Sequence, residues 1–276
     1  LLGRQEWLFT LSFRLFSGNS IFRNNKLDLL NYFRVVDLFF RFLLLKLFVL
    51  LPLFLGNKTG IFAQTFADGL AGVDVSHHQD RIAWDEVMKG QALSFAFVKA
   101  TEGSDFTDSL FCYNWESMAR HGLKRGAYHF FRGYGCGLEQ AIHFLRTVEM
   151  AHGDLPPVLD LETLDGTQEQ AVVEEALIWL QTVEHFLGIR PILYTNQRFY
   201  DRFLASTALS SYPLWIARYS DQAPVLSDGK YWSIWQYSSS GCVDGISKKV
   251  DLNYFRGGLE ELEAMCWRPS LPVSVP

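Results

Sequence analysis

Between residues 72 and 255, short runs of β-branched and aromatic residues alternate with longer stretches of helical periodicity, and nothing else in the chain restricts its fold as much. Such alternation is the pattern of βα units around a parallel sheet. Eight runs predict strands, at 72–76, 94–101, 125–131, 157–162, 191–196, 213–219, 232–237 and 250–255. The spacers predict helices over 168–187, 138–150 and 109–120. In the first, Val173, Ala176, Leu177, Leu180, Val183 and Leu187 form one apolar stripe, and Gly188 supplies a stop. In the second, Ile142, Leu145 and Val148 are expected to face inward. The last three strands are joined by segments too short or too rich in Gly, Ser and Pro for full helices. The expectation is therefore an α/β fold, an incomplete (β/α) barrel.

In such a barrel the loops at the C-terminal ends of the strands converge on one mouth, where a site gathers. Asp74 ends the first predicted strand, Lys99 and Glu102 the second, and His129 lies near the end of the third. Asp160 and Glu162 end the fourth, and Asp251 lies on the last. Within 157–162 the strand period of two puts Asp160 and Glu162 on one face and Leu159 and Leu161 on the other, so the acids can face the lumen. Taken alone, such a pair also suits a cap for the helix that follows. Asp74 and Asp251 weaken that alternative, because first and last strands are neighbours in a closed barrel. Carboxyls crowded in one pocket raise at least one pKa, which keeps an acid protonated near neutrality. Glycoside cleavage needs such an acid plus a group that stabilises or attacks the oxocarbenium-like carbon.

Seven aromatic residues, Tyr128, Phe130, Tyr194, Trp215, Tyr219, Trp235 and Tyr237, fall mostly near strand ends. Singly, each reads best as barrel core. Collectively they predict a groove on which sugar rings stack, with Tyr128, Phe130, Tyr194, Trp215, Trp235 and Tyr237 as the expected substrate contacts.

The body of the chain is acidic. Net charge is −5, yet residues 1–66 hold eight Lys/Arg against three Asp/Glu, so the remainder carries −10 and offers no basic footprint for nucleic acid. Cys112, Cys136, Cys242 and Cys266 lie far apart with no CxxC pair or zinc-finger spacing, and disulfides and free thiols both stay open for them. A metal-dependent hydrolase built on His77, His78, Asp74 and Asp160 is a weak alternative, since adjacent residues on a continuing strand point to opposite faces. No cofactor or metal is expected.

Ahead of the barrel, Arg34, Arg41 and Lys46 precede an apolar run at 47–55, followed by the small-residue sites Phe62-Ala63 and Phe66-Ala67. A cleaved secretory signal over 34–67 is the first reading. The uncharged run falls short of the roughly 20 apolar residues of a spanning helix, so an uncleaved signal anchor, with Arg41 and Lys46 snorkelling, is the second. Both place the remaining domain outside the cytoplasm. Residues 1–33 are assigned no fold, and a mis-called reading frame is one expectation for them.

The segments GVDVSHHQ, FAFVKATEG, KRGAYHFF, PPVLDLE, PILYTN, LWIARY, WSIWQYSSSG and GISKKVDLNYF, in this order, resemble the family 25 lysozymes of the Chalaropsis type. The match covers essentially all of 72–255. DxE alone is a weak motif, but eight ordered pieces at strand-like spacing are specific together. The resemblance implies an irregular TIM-like (β/α)5(β)3 barrel, here over 68–258 with a tail at 259–276. It implies hydrolysis of the β-1,4 bond between N-acetylmuramic acid and N-acetylglucosamine in peptidoglycan. By motif it makes Glu162 the proton donor, Asp160 its partner, and Asp74 and Asp251 the other acids of the site. In the mechanism usually proposed for the family, the substrate's 2-acetamido oxygen attacks the anomeric carbon while Asp160 orients that group. Asp74 or Asp251 as an enzyme nucleophile stays open, and a non-catalytic glycan-binding module on the same barrel is the other functional alternative. A monomer acting on glycan strands is expected.

Overall fold

The computed structural model describes residues 69–90 and 93–269, all within the unit Thr59–Pro276. The expected signal or anchor over 34–67 and the residues before it lie outside the described residues. Among the described residues, no helix is long and apolar enough to cross a membrane.

Strand β1 (Leu70–Val75) leads through α1 (Trp84–Gly90) into β2 (Leu93–Glu102). A two-residue strand, β3 (Phe106–Thr107), pairs with the end of β2 before α2 (Phe111–Arg120) and β4 (Lys124–Phe130). Next come α3 (Gly137–Thr147), β5 (Val158–Asp160), α4 (Glu169–Leu187) and β6 (Ile192–Asn196). Short helical turns over 197–211 connect to β7 (Leu214–Ala217), and β8 (Ile234–Gly241), β9 (Val250–Phe255) and α5 (Leu259–Met265) follow. The strands order as β1-β9-β8-β7-β6-β5-β4-β2-β3, and β1 also pairs with β2, closing eight strands into a barrel. All neighbours in that ring are parallel except β9, which runs antiparallel to both β8 and β1. The expected irregular α/β barrel is thus the observed one.

Strand alternation splits the interior into two layers. Residues of one parity (Val73, Val75, Ala96, Val98, Leu159, Leu161, Leu193, Ile216) face outward against the helices. The other parity (Phe95, Phe97, Val158, Ile192, Ile234, Phe255) fills the lumen. The lumen is narrow, so bulky rings on one strand demand small residues on the next. A Cβ at Gly72 would lie 2.3 Å from the Phe95 ring, and one at Gly126 would lie 2.2 Å from Phe97. Glycine at these two strand positions is what admits the phenylalanines.

The helix faces agree with the sequence expectation in part. In α4 Ala176, Leu180 and Val183 are buried as expected, joined by Val172 and Trp179, while Val173, Leu177 and Leu187 are only partly buried. In α3 the buried face is Gln140, Ala141 and Phe144, with Ile142 and Leu145 at the edge, and Val148 just past the helix is buried as expected. A buried polar-aromatic cluster occupies part of this face. His129 stacks on Trp179 with centroids 5.4 Å apart, and its Nε2 meets Gln140 Oε1 at 3.1 Å. Gly188 ends α4 in the left-handed conformation, φ 66°, as expected of a helix stop.

The segment expected to be a tail begins with α5, which closes the N-terminal end of the barrel. Leu262 is fully buried with the lumen phenylalanines, and the Trp267 indole donates to Leu187 O at 2.7 Å. All four cysteines are free thiols, with Cys266 buried and the other three exposed.

Candidate active site

At the open end of the barrel the same lumen parity turns polar. A cavity of about 220 Å³ is lined by Asp74, Asp160, Glu162 and Asp251, together with Lys99, Tyr128, Phe130, Tyr194, Trp215, Tyr219, Gln236, Ser76 and His78. Val158 points to the dry lumen, Leu159 and Leu161 point to the helices, and Asp160 and Glu162 therefore open on the cavity. Asp251 is only the second residue of β9. In a wholly parallel barrel that position would sit at the closed end. Because β9 runs antiparallel to β1, Asp251 pairs across from Asp74 at the mouth.

Asp74 is held by the side chains around it. Its Oδ2 accepts from Gln236 Nε2 at 2.9 Å and from Asn253 Nδ2 at 2.7 Å. Those amides are fixed in turn, Gln236 Oε1 by the hydroxyls of Tyr194 (2.9 Å) and Tyr219 (3.0 Å), and Asn253 Oδ1 by Trp215 Nε1 (2.8 Å). This network makes Asp74 rigid. Asp160 differs: it is buried, and its Oδ1 has no hydrogen-bond partner among the described residues. Its carboxyl also shares a hydrogen bond with Glu162, which ties the two acids into one pair.

Burial and mutual repulsion raise all four carboxyls. Burial pushes Asp74 up to about 6 even against its two amide donors. Asp251 is pushed up to about 8, by burial first and then by the charges of Asp74 and Glu162. Asp160 lies well above the usual carboxylate range, by burial and then by the charge of Glu162, while Lys99 pulls it down. Glu162 is raised by burial and by Asp74, and a hydrogen bond with Asn196 opposes the rise. Lys99 is itself committed, 2.5 Å from Glu102, and lies 4.9 Å from the centre of the Phe130 ring. Glu102 also pairs with Arg132. The cavity therefore holds protons at neutral pH, as acid catalysis requires.

The other residues expected at the mouth divide. Tyr128, Phe130, Tyr194 and Trp215 line the cavity, as does Tyr219. Trp235 and Tyr237 do not. Trp235 has the outward parity, is fully buried among the helix-facing residues and donates to Arg218 O at 2.8 Å, and Tyr237 packs against the same outer cluster. His129 likewise faces outward, where burial holds it neutral, down to about 3. His77 Nδ1 turns to Asp108 Oδ2 at 2.7 Å while His78 lines the cavity, so the two imidazoles do not converge. Among the described residues no group of three or more His, Cys, Asp or Glu is arranged to hold a metal ion. Gln236, Asn253 and Asn196 were not anticipated, although Gln236 and Asn253 stand two residues from Ile234 and Asp251 and share their lumen parity.

A family model described as glycosyl hydrolases family 25 matches residues 73–246. The chain is 42% identical over 197 residues to the protein YegX of Escherichia coli K12, covering 70% of this chain and 72% of that protein. It is 33% identical over 210 residues to lysozyme M1 of Streptomyces globisporus, covering 71% of each. Among solved structures, a family 25 glycosyl hydrolase from Bacillus anthracis superposes with a TM-score of 0.68 at 34% identity, covering 76% of this chain and 99% of that one.

Proposed function

Because the chain belongs to glycosyl hydrolase family 25 and is a glycosidase, we propose that it is a muramidase that cleaves the β-1,4 bond between N-acetylmuramic acid and N-acetylglucosamine in peptidoglycan. The observation that carries the reading is the pair of raised carboxyls Asp160 and Glu162, hydrogen-bonded to each other on the wall of the cavity. The sugar on the reactive side of the bond bears a 2-acetamido group, whose N–H can donate to a carboxylate.

The Asp160–Glu162 pair retains a proton at neutral pH, and Glu162, the less buried of the two, delivers it to the glycosidic oxygen. The acetamido N–H donates to Asp160, and the acetamido oxygen attacks the anomeric carbon as the leaving group departs. Water, deprotonated by Glu162, then opens the cyclic intermediate with net retention. Two acids on one strand lie on one side of the sugar and suit this route better than an acid and nucleophile that flank the ring. Asp74, ionised above about pH 6, stabilises the positive charge that builds on the ring, and the protonated Asp251 beside it supplies a hydrogen bond. Tyr128, Phe130, Tyr194, Trp215 and Tyr219 form the stacking walls. Two buried and two half-buried carboxyls crowded together at energetic cost speak against a module that only binds glycan. Action on peptidoglycan implies work outside the cytoplasm, which agrees with a signal or anchor over 34–67.

Proton NMR of the first product formed from purified glycan strands tests the mechanism. The β-anomer is expected before mutarotation, and an initial α-anomer would replace retention by inversion.

A further inference from the structure

On the rim beside the carboxylate cavity, a second cleft of about 670 Å³ is lined by Arg198, Arg202 and Arg218. Both strands that reach it end at the barrel mouth: Arg198 comes two residues after the last residue of β6, and Arg218 directly follows β7. Asn196 belongs to both places, since it lines this cleft and its side chain hydrogen-bonds Glu162. A group held in the cleft is therefore one side chain away from the proposed acid.

None of the three arginines has an ion-pair partner among the described residues. Arg125 and Arg132, by contrast, are each committed to a carboxylate, Asp154 and Glu102. Arg218 is oriented by a neutral acceptor instead, its Nη1 donating to Gln197 Oε1 at 3.2 Å. One acid, Asp201, shares the cleft, but its oxygens already accept from Ser227 N at 2.8 Å and Gln197 Nε2 at 3.3 Å. Three guanidinium groups around a single carboxylate leave an excess of positive charge in a chain of net charge −5 and form a surface for an anion. The planar fork of arginine matches the paired oxygens of a carboxylate or a phosphate.

We propose that this cleft binds carboxylates of the peptide stem carried by the muramic acid residues, as a substrate subsite separate from the sugar groove. This inference rests on the muramidase reading above. In peptidoglycan the stem hangs from the lactyl group of muramic acid, so a glycan seated in the cavity brings its stem along. An extended peptide reaches about 3.3–3.6 Å per residue, so a stem of three or four residues extends roughly 10–14 Å from the lactyl group. Tethering makes the second contact intramolecular and lets weak charge pairs count.

The test compares kcat/KM of the full chain on purified phosphate-free glycan strands with intact stems and on the same strands stripped at the lactyl amide. Wild type should prefer the stem-bearing strands, and Arg198→Gln/Arg202→Gln should lower that ratio about five-fold, roughly 1 kcal/mol. Taking the ratio within each protein cancels any loss of folded enzyme. Added salt should shrink the wild-type preference toward the variant's. Equal rates on both strands, or a preference that survives the double substitution, would overturn the subsite while leaving the muramidase reading intact. So would a defect confined to walls that carry phosphate polymers, which would assign the cleft to phosphate. A wild type that cleaves neither strand would instead overturn the muramidase reading, and the subsite with it.

Discussion

The two ends of the barrel lumen are made by the same strands with the same alternation, yet one is dry and closed and the other is charged and open. At the closed end Phe95, Phe97, Ile192, Ile234 and Phe255 pack under Leu262 of α5. At the open end the next residues of the same parity are Lys99, Asp160, Gln236 and Asp74. Trp215 joins the halves: it lines the cavity, and its ring centre lies 4.7 Å from that of Phe97. The difference shows how an apolar floor makes acids useful. Without water beneath them the carboxyls cannot shed their protons cheaply, and burial is the first cause of every raised pKa in the cluster.

Changes at the open end should affect rate and spare stability, whereas changes at the closed end should do the reverse. The largest effect is expected for Glu162→Gln, which should lower kcat on glycan strands by about 10³-fold or more with no fall in melting temperature. Near-normal turnover would remove Glu162 from the role of acid. At the floor, Phe97→Ala should cost about 3–5 kcal/mol in a denaturant titration. The kcat per folded molecule should change less than about ten-fold, a bound set by general acid–base effects being far larger. Similar losses in rate and stability for both variants would erase the distinction between the ends.

A subtler test uses charge alone. Asp74 raises both Glu162 and Asp160, so Asp74→Asn should shift the alkaline limb of the kcat/KM profile to lower pH, as measured across pH 4–9. The smallest effect concerns stability. Asp251 goes from an ordinary 3.8 to about 8, so the folded state binds a proton that the unfolded chain releases. That contribution is complete below about pH 4 and is lost as pH rises toward 8. Asp251→Asn should therefore melt a few degrees higher than wild type at pH 8–9, roughly 2–4 °C per kcal/mol, with the gap closing at pH 4. A gap that widens on acidification would contradict the sign.

Much of this contrast was legible in the sequence. The eight strands, the acids on one face of Val158–Glu162 and the adjacency of the first and last strands follow from alternation and closure. What escaped has local causes. Trp235 lies in the run 232–237, where each face carries two aromatic or aliphatic residues and one polar one, so alternation gives no phase, and a register shift after Gln236 displaces Tyr237 further. The reversed direction of β9 leaves no mark in its composition, so Asp251 reaches the mouth by a turn of the chain that the pattern does not encode. Helix α1 is short, with only Trp84 and Val87 buried, and falls below the length at which periodicity is readable. His129 and Gln140 bury polar groups on the helix-facing side, and a stripe of apolar residues alone does not include them.

Digestion of purified peptidoglycan, followed by borohydride reduction and mass spectrometry of the fragments, is the most direct measurement of whether this carboxylate cluster is a muramidase site. Reduced N-acetylmuramic acid at the new ends is the expected result, absent from a Glu162→Gln digest. Reduced N-acetylglucosamine at those ends would contradict it.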